Sequence, residues 1–335
     1  MRERASINDV AIHAGVSAQT VSRVANGKPN VRPETREKVL AAMQELNYRP
    51  NGAARNLKAG RFRSIGVVTF SMTTLGNEQT LNSIALAAAV AGYTTVLMTV
   101  ADPTQGDVAG AFGRLQEQAV DGIILIMSAE IGSPEELELT VGLPLVIVDS
   151  DATQPYTIVD TDQEQGARMA VEHLLELGHR EIVHVAGPEI SYSARRRAAT
   201  YERTMRAAGL PVQPVLVGDW SAVSGLRLGR EMLASKQLPT SVFAANDQMA
   251  LGIMHALHER GIKVPADISV VGFDDAEDSV AYWPALTTVH QNFDEVGQNA
   301  TGLLLALIDG ETAPENVLVP TRLVVRDSTG PARRQ

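Results

Sequence analysis

Residues 6–27 read SINDVAIHAGVSAQTVSRVANG, and their spacing predicts two short helices separated by a tight turn. Ser6 can open the first helix, because Asp9 follows three positions later in an acidic variant of the capping box. Apolar residues then recur at helical spacing as far as Gly15, a residue type that commonly ends helices. The first helix is therefore predicted to lie between Ser6 and Gly15.

A second helix is predicted directly after this turn, since Ser17 can cap it and Gly27 can end it. Pro33 suits the first turn of a third helix, whose apolar residues continue to Leu46. Three short helices with a glycine-containing turn between the first two predict a helix-turn-helix.

The second helix carries the side chains that could contact DNA bases. Val21 and Val24 are predicted to face the core of the head, which leaves Gln19 and Arg23 facing solvent. The Gln amide can form two hydrogen bonds with adenine, and the Arg fork can form two with guanine. The alternative interpretation is a small helical bundle whose positive charge is incidental.

Charge is distributed unevenly along the chain of 335 residues. Residues 1–63 hold 12 Lys+Arg and 5 Asp+Glu, a net charge of +7, whereas residues 64–335 hold 17 and 34, a net charge of −17. A basic segment on an acidic protein indicates a polyanionic partner and favours the DNA-binding interpretation. The sequence has no Cys, no signal-peptide segment and no apolar run of roughly 20 residues, so we expect a cytoplasmic protein without a membrane span.

Residues 48–63, YRPNGAARNLKAGRFR, follow the three predicted helices. Asn51 can cap a helix of about two turns, in which Leu57 is the large apolar residue. So short a helix is unstable alone in water. The segment is therefore either a flexible linker or a hinge that folds on DNA and inserts Leu57 into the minor groove.

From residue 64 onward, short apolar runs alternate with helical segments, as in SIGVVTF, DGIILIM, PLVIVD, SVFAAND and DISVVGFDD. Continuous β-branched runs alternating with helices predict parallel sheets covered on both faces. There are too many strands for one sheet of this type. We therefore predict a body of two doubly wound α/β lobes, with crossings near Asp160, Gln291 and Pro320 and a cleft at the carboxyl ends of the strands.

Several predicted strands end in polar residues that could read a hydroxyl-rich ligand. These residues are Asp149, Asn246, Asp247, Asp274, Asp275 and Gln291. Asp247 and Asp275 could alternatively only cap the helices that follow them. Trp220 and Phe293 offer flat faces for a sugar ring or fill the core, and one of Arg195, Arg196 and Arg197 is expected to point inward.

The motif INDVAIHAGVSAQTVSRVANGKPNVRPETREKVLAAMQELNYRPNGAARNL resembles the DNA-binding head and hinge of LacI-type transcription regulators. The resemblance implies base contacts by Ala18, Gln19 and Arg23 and a minor-groove wedge at Leu57. The full set of DNA-binding residues that it implies is Ser17, Ala18, Gln19, Thr20, Arg23, Asn26, Thr35, Tyr48, Asn51, Ala54 and Leu57.

The motifs VEHLLELGH, GDWSAVSG, ANDQMALG, PADISVVGFDDAEDS and LTTVHQNFDEVGQ resemble the effector domain of the galactoside-responsive members of this family. The resemblance extends over nearly the whole chain and implies a periplasmic-binding-protein-like body. The sugar-binding residues that it implies are Asp149, Ser191, Ser193, Arg197, Trp220, Asn246, Asp274, Gln291 and Phe293.

The segment FSMTTLGNEQT departs from those members. Thr74, Gly76, Asn77 and Thr80 replace residues that contact the sugar's substituent, and Thr161 replaces a Phe in the same region. We therefore predict a galactoside-like ring site with a more polar second subsite, which could favour a disaccharide. The final residues lack the apolar heptads of a tetramerising helix, so a homodimer is expected.

These predictions divide the chain into a DNA-binding head, a hinge and a two-lobed sugar-binding and dimerisation domain. The predicted ranges are 1–49 for the head, 50–63 for the hinge helix and linker, and 64–330 for the body, with lobe 1 at about 64–160 and 292–320 and lobe 2 at about 161–291 and 321–330.

The function predicted from the sequence is that of a repressor that binds a near-palindromic operator and is released by a sugar, with no cofactor, metal or membrane partner. An enzyme is the first alternative, but no phosphate-binding loop, zinc motif or Cys nucleophile is present in the sequence. A sugar transport protein is the second alternative, and the basic head argues against it. A regulator whose ligand strengthens DNA binding remains a third.

Overall fold

The computed structural model describes residues 5–25, 27–48, 61–72, 74–100, 104–127, 142–150, 156–235 and 238–333. The chain forms two compact units, a head (Met1–Phe62) and a body (Arg63–Gln335). Each unit has a separate hydrophobic core.

The head contains three helices, α1 (Ile7–Ala14), α2 (Ala18–Ala25) and α3 (Pro33–Glu45). The predicted capping box opens α1: the Asp9 N–H donates to Ser6 Oγ at 3.3 Å, and the Ser6 N–H donates to Asp9 Oδ2 at 2.7 Å. Gly15 follows in the left-handed conformation, with φ of 66°, and its N–H bonds the last turn of α1. Such a cap stabilises a helix by about 1 kcal/mol.

The turn into α2 is held by Ser17, whose Oγ accepts a hydrogen bond from the Thr20 N–H at 3.2 Å. The core of the head is formed by Val10, Val21 and Val39, whose side chains are fully buried. Burying each such side chain contributes about 1.5–3 kcal/mol, so the three helices depend on this shared core for their stability.

In chain order the body contains β1 (Ser64–Thr69), α4 (Leu75–Val90), β2 (Thr94–Thr99), α5 (Gln105–Glu117), β3 (Gly122–Ile126), β4 (Leu145–Val148), β5 (Thr157–Thr161), α6 (Gln163–Glu176), β6 (Ile182–Ala186), α7 (Tyr192–Ala207), β7 (Leu216–Val217), α8 (Ala222–Leu233), β8 (Ser241–Ala244), α9 (Asp247–Glu259), β9 (Ser269–Asp274), a 3-10 helix (Glu277–Ala281), β10 (Thr287–His290), α10 (Phe293–Ile308), β11 (Asn316–Val319) and β12 (Arg322–Val324).

These strands form two sheets, each with six strands among the described residues. Lobe 1 has the strand order β11-β5-β4-β3-β1-β2, and lobe 2 has the order β12-β10-β9-β8-β6-β7. The pairings are parallel, apart from the antiparallel pair of β10 and β12. Central strands such as β3 are buried along their whole length, which explains their continuous apolar sequences.

Helices cover both faces of each sheet. In lobe 1, α5 packs on one face, and α4 with α10 packs on the other. In lobe 2, α8 and α9 cover one face, and α6 and α7 cover the other. The fold is therefore the predicted pair of doubly wound α/β lobes after an all-helical head.

The chain passes between the lobes three times. It leaves lobe 1 after β5 and enters α6, returns between β10 and α10, and crosses again between β11 and β12. The carboxyl ends of β4, β5 and β9 come close to these crossings, so their terminal side chains face the space between the lobes. None of the helices in the described ranges has the length and apolar composition of a membrane span.

Candidate functional site

The first candidate site is the outer face of α2 in the head. Gln19 and Arg23 are exposed there, while Val21 and Val24 are buried in the core of the head. The exposed pair can form bidentate hydrogen bonds with bases in a DNA major groove.

The other described head residues of the predicted DNA-binding set lie at the start of α2, in α3 and just after α3. Ser17 is exposed, and Ala18, Thr20, Thr35 and Tyr48 are half-buried. Four predicted residues lie outside the described residues, and they are Asn26, Asn51, Ala54 and Leu57.

The second candidate site is a cavity between the two lobes of the body, which we call the inter-lobe cavity. Its free volume is about 80 Å³, several times what one water molecule needs. The side chains and backbone of both lobes line it: Thr74, Gly76, Asn77, Thr80, Ile126, Val148, Asp149, Asp160, Thr161, Gln163, Ser191, Ser193, Arg197, Trp220, Asp274, Gln291, Phe293 and Val296.

Arg197 is the central charged group on the lobe 2 side of this cavity. Of its neighbours in sequence, Arg195 and Arg196 are partly exposed, whereas Arg197 is 4% exposed. Its Nε donates to Gln163 Oε1 at 2.8 Å, and an Nη donates to the Ala245 carbonyl. These acceptors hold the guanidinium in a fixed orientation at the cavity wall.

Asp274 lies opposite this guanidinium, with its Oδ1 3.8 Å from Arg197 Nη1. Gln291 Nε2 donates to the same carboxylate oxygen at 2.6 Å, and Gln163 Nε2 donates to Gln291 Oε1 at 3.3 Å. Burial raises the pKa of Asp274 to about 6, against the lowering effects of Arg197 and Gln291. A carboxyl, an amide and a guanidinium therefore converge where hydroxyl groups could both donate and accept.

Two aromatic rings frame the cavity, and glycines allow their close approach. A Cβ built on Gly187 would lie 2.3 Å from the Trp220 ring, and one built on Gly76 would lie 3.4 Å from Phe293. Trp220 also lies 5.6 Å from the Arg197 guanidinium. These rings give the cavity the apolar faces that stack on sugar rings.

Ser191 and Ser193 occupy the amino-terminal end of α7 and line the same cavity. Ser191 Oγ accepts a hydrogen bond from the Ala194 N–H at 3.5 Å and lies 3.1 Å from Ser193 Oγ. Both serines are buried, and Ser193 precedes Arg197 by about one turn of α7.

Three lining residues have a backbone conformation that side chains rarely adopt. The φ angles are 59° at Asp149, 73° at Trp220 and 116° at Asp274. Such conformations cost about 1–3 kcal/mol each and cluster at ligand sites. Asp149 follows β4, Asp274 ends β9, and Trp220 precedes the N-cap of α8. All three side chains line the cavity.

The cavity brings together eight of the nine predicted sugar-binding residues, and the exception is Asn246. Asn246 is the N-cap of α9, so its Oδ1 accepts from the Met249 N–H at 2.9 Å. Its Nδ2 donates to the Trp220 carbonyl at 2.9 Å and to Gln248 Oε1 at 2.8 Å. Its amide is thus used within the protein, where it holds the loop that carries Trp220.

Asp247 and Asp275 do not line the cavity, and both bind to other parts of lobe 2. Asp247 is fully buried and accepts hydrogen bonds from the Ala276 N–H at 2.8 Å and from Thr288 Oγ1 at 2.5 Å. Asp275 forms an ion pair with Arg326 at 2.6 Å. These carboxylates connect the carboxyl end of β9 to neighbouring elements of lobe 2.

Sequence reasoning missed two polar lining residues, Asp160 and Gln163, and three apolar ones, Ile126, Val148 and Val296. Asp160 is a polar residue inside the buried strand β5, and Gln163 is in the first turn of α6. The signal for Asp160 was a lone carboxyl within an apolar run. The residues predicted to make a polar second subsite, Thr74, Gly76, Asn77, Thr80 and Thr161, all line the cavity.

Two protein-family models match the chain. Residues 6–51 match the model of the bacterial regulatory proteins of the lacI family, and residues 171–329 match a periplasmic binding protein-like domain. The first match covers the three helices of the head, and the second covers most of lobe 2.

Curated relatives match the chain over almost its whole length. It is 40% identical over 327 residues to the lactose operon repressor of Escherichia coli (strain K12), covering 97% of this chain and 90% of the relative. It is 34% identical over 330 residues to catabolite control protein A of Priestia megaterium, covering 97% and 99% respectively. These relatives are regulators of transcription and not enzymes.

Solved structures agree with this grouping. A lac repressor dimer bound to operator and the anti-inducer ONPF matches with a TM-score of 0.91 and 39% identity, covering 98% of this chain and 100% of that one. A complex of the transcriptional regulator CelR with cellobiose matches with a TM-score of 0.72 and 32% identity, covering 97% and 100%. The chain therefore belongs to the lacI family of bacterial regulatory proteins.

Proposed function

We propose that this protein is a dimeric repressor of a sugar-utilisation operon, and that a galactoside-like sugar bound between the lobes releases it from its operator. The observation that carries the proposal is the inter-lobe cavity, in which Arg197, Asp274 and Gln291 lie beside the Trp220 ring. The similarity to the lactose operon repressor supports the repressor role. The similarity to the lac repressor complexes and to the complex of CelR with cellobiose supports a sugar ligand.

The head supplies DNA recognition in this proposal. α2 enters the major groove with Gln19 and Arg23 on base edges, and Leu57 acts as the minor-groove wedge of the hinge. Two copies of the chain read a near-palindromic operator in the cytoplasm, because a symmetric dimer presents two equivalent helices to two half-sites.

The sugar acts by favouring one arrangement of the lobes. A ligand that contacts Arg197 on one wall and Asp149 on the other binds most tightly when both walls reach it. Such differential affinity shifts the population of lobe arrangements, whereas equal affinity for all arrangements would shift nothing. Because coupling is reciprocal, operator DNA weakens sugar binding by the same factor as sugar weakens DNA binding.

The experiment is operator binding by the purified protein, titrated with galactosides, glucosides and disaccharides. We expect a galactose-containing sugar to lower operator affinity. Tighter DNA binding in the presence of sugar would instead show a regulator that its ligand recruits to DNA.

Arg197→Ala tests the assignment of the cavity. The variant should still bind the operator and should no longer respond to sugar, because the fixed guanidinium is lost. Since Asp274 would then be buried without its ion pair, Arg197→Lys and a thermal unfolding curve control for general destabilisation. A normal response to sugar in a folded Arg197→Ala protein would place the ligand elsewhere.

A further inference from the structure

Asp160 lies on the lobe 1 wall of the inter-lobe cavity, next to Asp149. The strands β4 and β5 are parallel, and Val148 pairs with Val159. The residue after each member of this pair is an aspartate, Asp149 just beyond β4 and Asp160 within β5, and the Asp149 N–H donates to the Val159 carbonyl at 3.4 Å. Because neighbouring strands lie about 4.8 Å apart, two carboxyl groups enter the cavity side by side.

The Asp160 carboxyl has little contact with water. The residue is 4% exposed, and its Oδ1 accepts a hydrogen bond from the Thr161 N–H at 2.7 Å. Burial raises the pKa of Asp160 well above its usual value, and the Asp149 carboxylate raises it further. A hydrogen-bond donor placed here by a ligand would offset part of this desolvation.

The rest of the lobe 1 wall adds short polar side chains to this pair. Asn77 and Thr80 are buried on α4, and Thr161 ends β5. An apolar group against this wall would leave the desolvated carboxyls without a hydrogen-bond donor. A site that hydrogen-bonds a ligand hydroxyl strongly rejects an analogue that lacks this hydroxyl. An apolar pocket rejects a ligand with an extra hydroxyl much more weakly.

We propose that Asp160 is a specificity-determining residue, which selects ligands whose second group carries hydroxyls, such as a disaccharide, over galactosides with an apolar substituent. The inference rests on the proposed function, because it assumes that the galactose ring occupies the lobe 2 wall beside Arg197 and Trp220. Asp149 then contacts the ring side of the ligand, and Asp160 contacts the second group.

The test compares two ligands that share the galactose ring, lactose and propyl β-galactoside. Affinities are measured by titration calorimetry on the full chain. The native protein should bind lactose at least about tenfold more tightly. In Asp160→Leu, lactose should weaken and propyl β-galactoside should strengthen, so that the preference falls by about tenfold or more.

Two further variants keep the result interpretable. Asp160→Asn retains the size and a hydrogen-bonding oxygen, so it should keep a reduced preference for lactose. Asp309→Leu makes the same change as Asp160→Leu on an exposed position of lobe 1 and should leave both affinities unchanged.

The outcomes separate this inference from the proposed function. If the native protein bound both ligands with equal affinity, or if Asp160→Leu kept the native preference, Asp160 would not determine specificity and the sugar-responsive function would stand. If no galactose-containing ligand bound the native protein, the proposed function and the inference would both be wrong.

Discussion

The indole ring of Trp220 packs directly on the α-carbon of Gly187. A Cβ built on Gly187 would lie 2.3 Å from Cζ2 and 2.4 Å from Cη2 of that ring, closer than real Cβ contacts allow. Gly187 directly follows β6, and Trp220 precedes α8 with a φ of 73°. The indole ring can therefore occupy this position in the inter-lobe cavity only because residue 187 is a glycine and carries no Cβ.

The first prediction follows from this contact. Gly187→Ala should weaken sugar binding by about tenfold, because the added methyl group pushes the indole out of its position. Sugar affinity can be followed by the fluorescence of Trp220 in a Trp283→Phe background, since the chain has two Trp residues. Operator affinity without sugar should remain native.

Gly113→Ala is the matched control for this prediction. A Cβ at Gly113, in α5, meets nothing within 4 Å, so the same substitution there should leave sugar affinity unchanged. A Gly187→Ala protein with native sugar affinity would show that the ring position does not matter for binding.

The second prediction concerns the head. Arg23→Ala should reduce operator affinity by about 1–3 kcal/mol and relax the base preference at one position of each half-site. Arg23 is exposed on α2, so its removal should not affect the core around Val21. Operator variants at each base pair, measured by fluorescence anisotropy at fixed salt, would show the relaxed position.

Lys38→Ala removes the same charge from an exposed position on α3 and is the control for Arg23→Ala. Its effect should be small and similar on operator and random DNA, as expected for a loss of non-specific attraction. Equal losses on both DNAs for Arg23→Ala would mean that Arg23 contacts only phosphate.

The third prediction concerns assembly. Helices α8 and α9 pack closely, since a Cβ on Gly252 would lie 2.0 Å from the Ala222 carbonyl oxygen. The residues beside this contact, Val223 and Leu251, are 76% and 38% exposed. We expect this apolar surface to pair with a second copy of the chain, so Leu251→Glu should convert dimers to monomers at micromolar concentration.

Light scattering coupled to size exclusion would measure this change, with Val325→Glu as the control. Val325 is 60% exposed and follows β12, at the far edge of the lobe 2 sheet from β7. A tetrameric native protein, or a Leu251→Glu protein that stays dimeric, would contradict the prediction.

The fourth prediction concerns pH. His184 is fully buried, stacks on Phe243 with ring centroids 4.6 Å apart, and donates from Nδ1 to the Phe243 carbonyl at 2.9 Å. Burial lowers the pKa of His184 from 6.5 to about 4. Between these values the unfolded chain binds the proton and the folded protein does not, so stability falls as pH falls through this window.

His184→Phe removes this proton linkage and keeps a stacked ring. Between pH 7 and 5, the native protein should lose about 2 kcal/mol more of its unfolding free energy than the variant does. Urea unfolding at both pH values gives the loss of unfolding free energy for each protein. The carboxyl groups are the same in the two proteins, so their contribution cancels when the two losses are subtracted. Parallel losses would show that His184 does not couple folding to pH.

Local signals in the sequence were sufficient for the architecture. The capping box of Ser6 and Asp9 depends only on residues three positions apart, and the buried strands show as continuous β-branched runs. The position of the inter-lobe cavity also agrees with the sequence pattern, because Asp274 ends β9 and Asp149 directly follows β4 in parallel sheets. Such patterns indicate which secondary-structure element carries a polar residue. They do not indicate which atoms its side chain contacts in the folded protein.

The two differences at the site arise from those partners. Asn246 follows the end of β8 by two residues, and the start of α9 and the Trp220 carbonyl take up its amide. The sequence predicts a boundary between the lobes near Asp160. The place of Asp160 in the cavity depends instead on the pairing of β5 with β4, two strands that are neighbours in the sheet.

The three crossings between the lobes also bear on how this protein can evolve. Because β5, β10 and β11 each lead into the other lobe, neither lobe is a continuous piece of sequence. Recombination at any single point within the body would divide at least one folded core, so a whole lobe cannot be exchanged with a relative in one step. A new ligand preference is therefore most accessible through substitutions at the strand ends, whereas the head, Met1–Phe62, can be exchanged as a continuous segment.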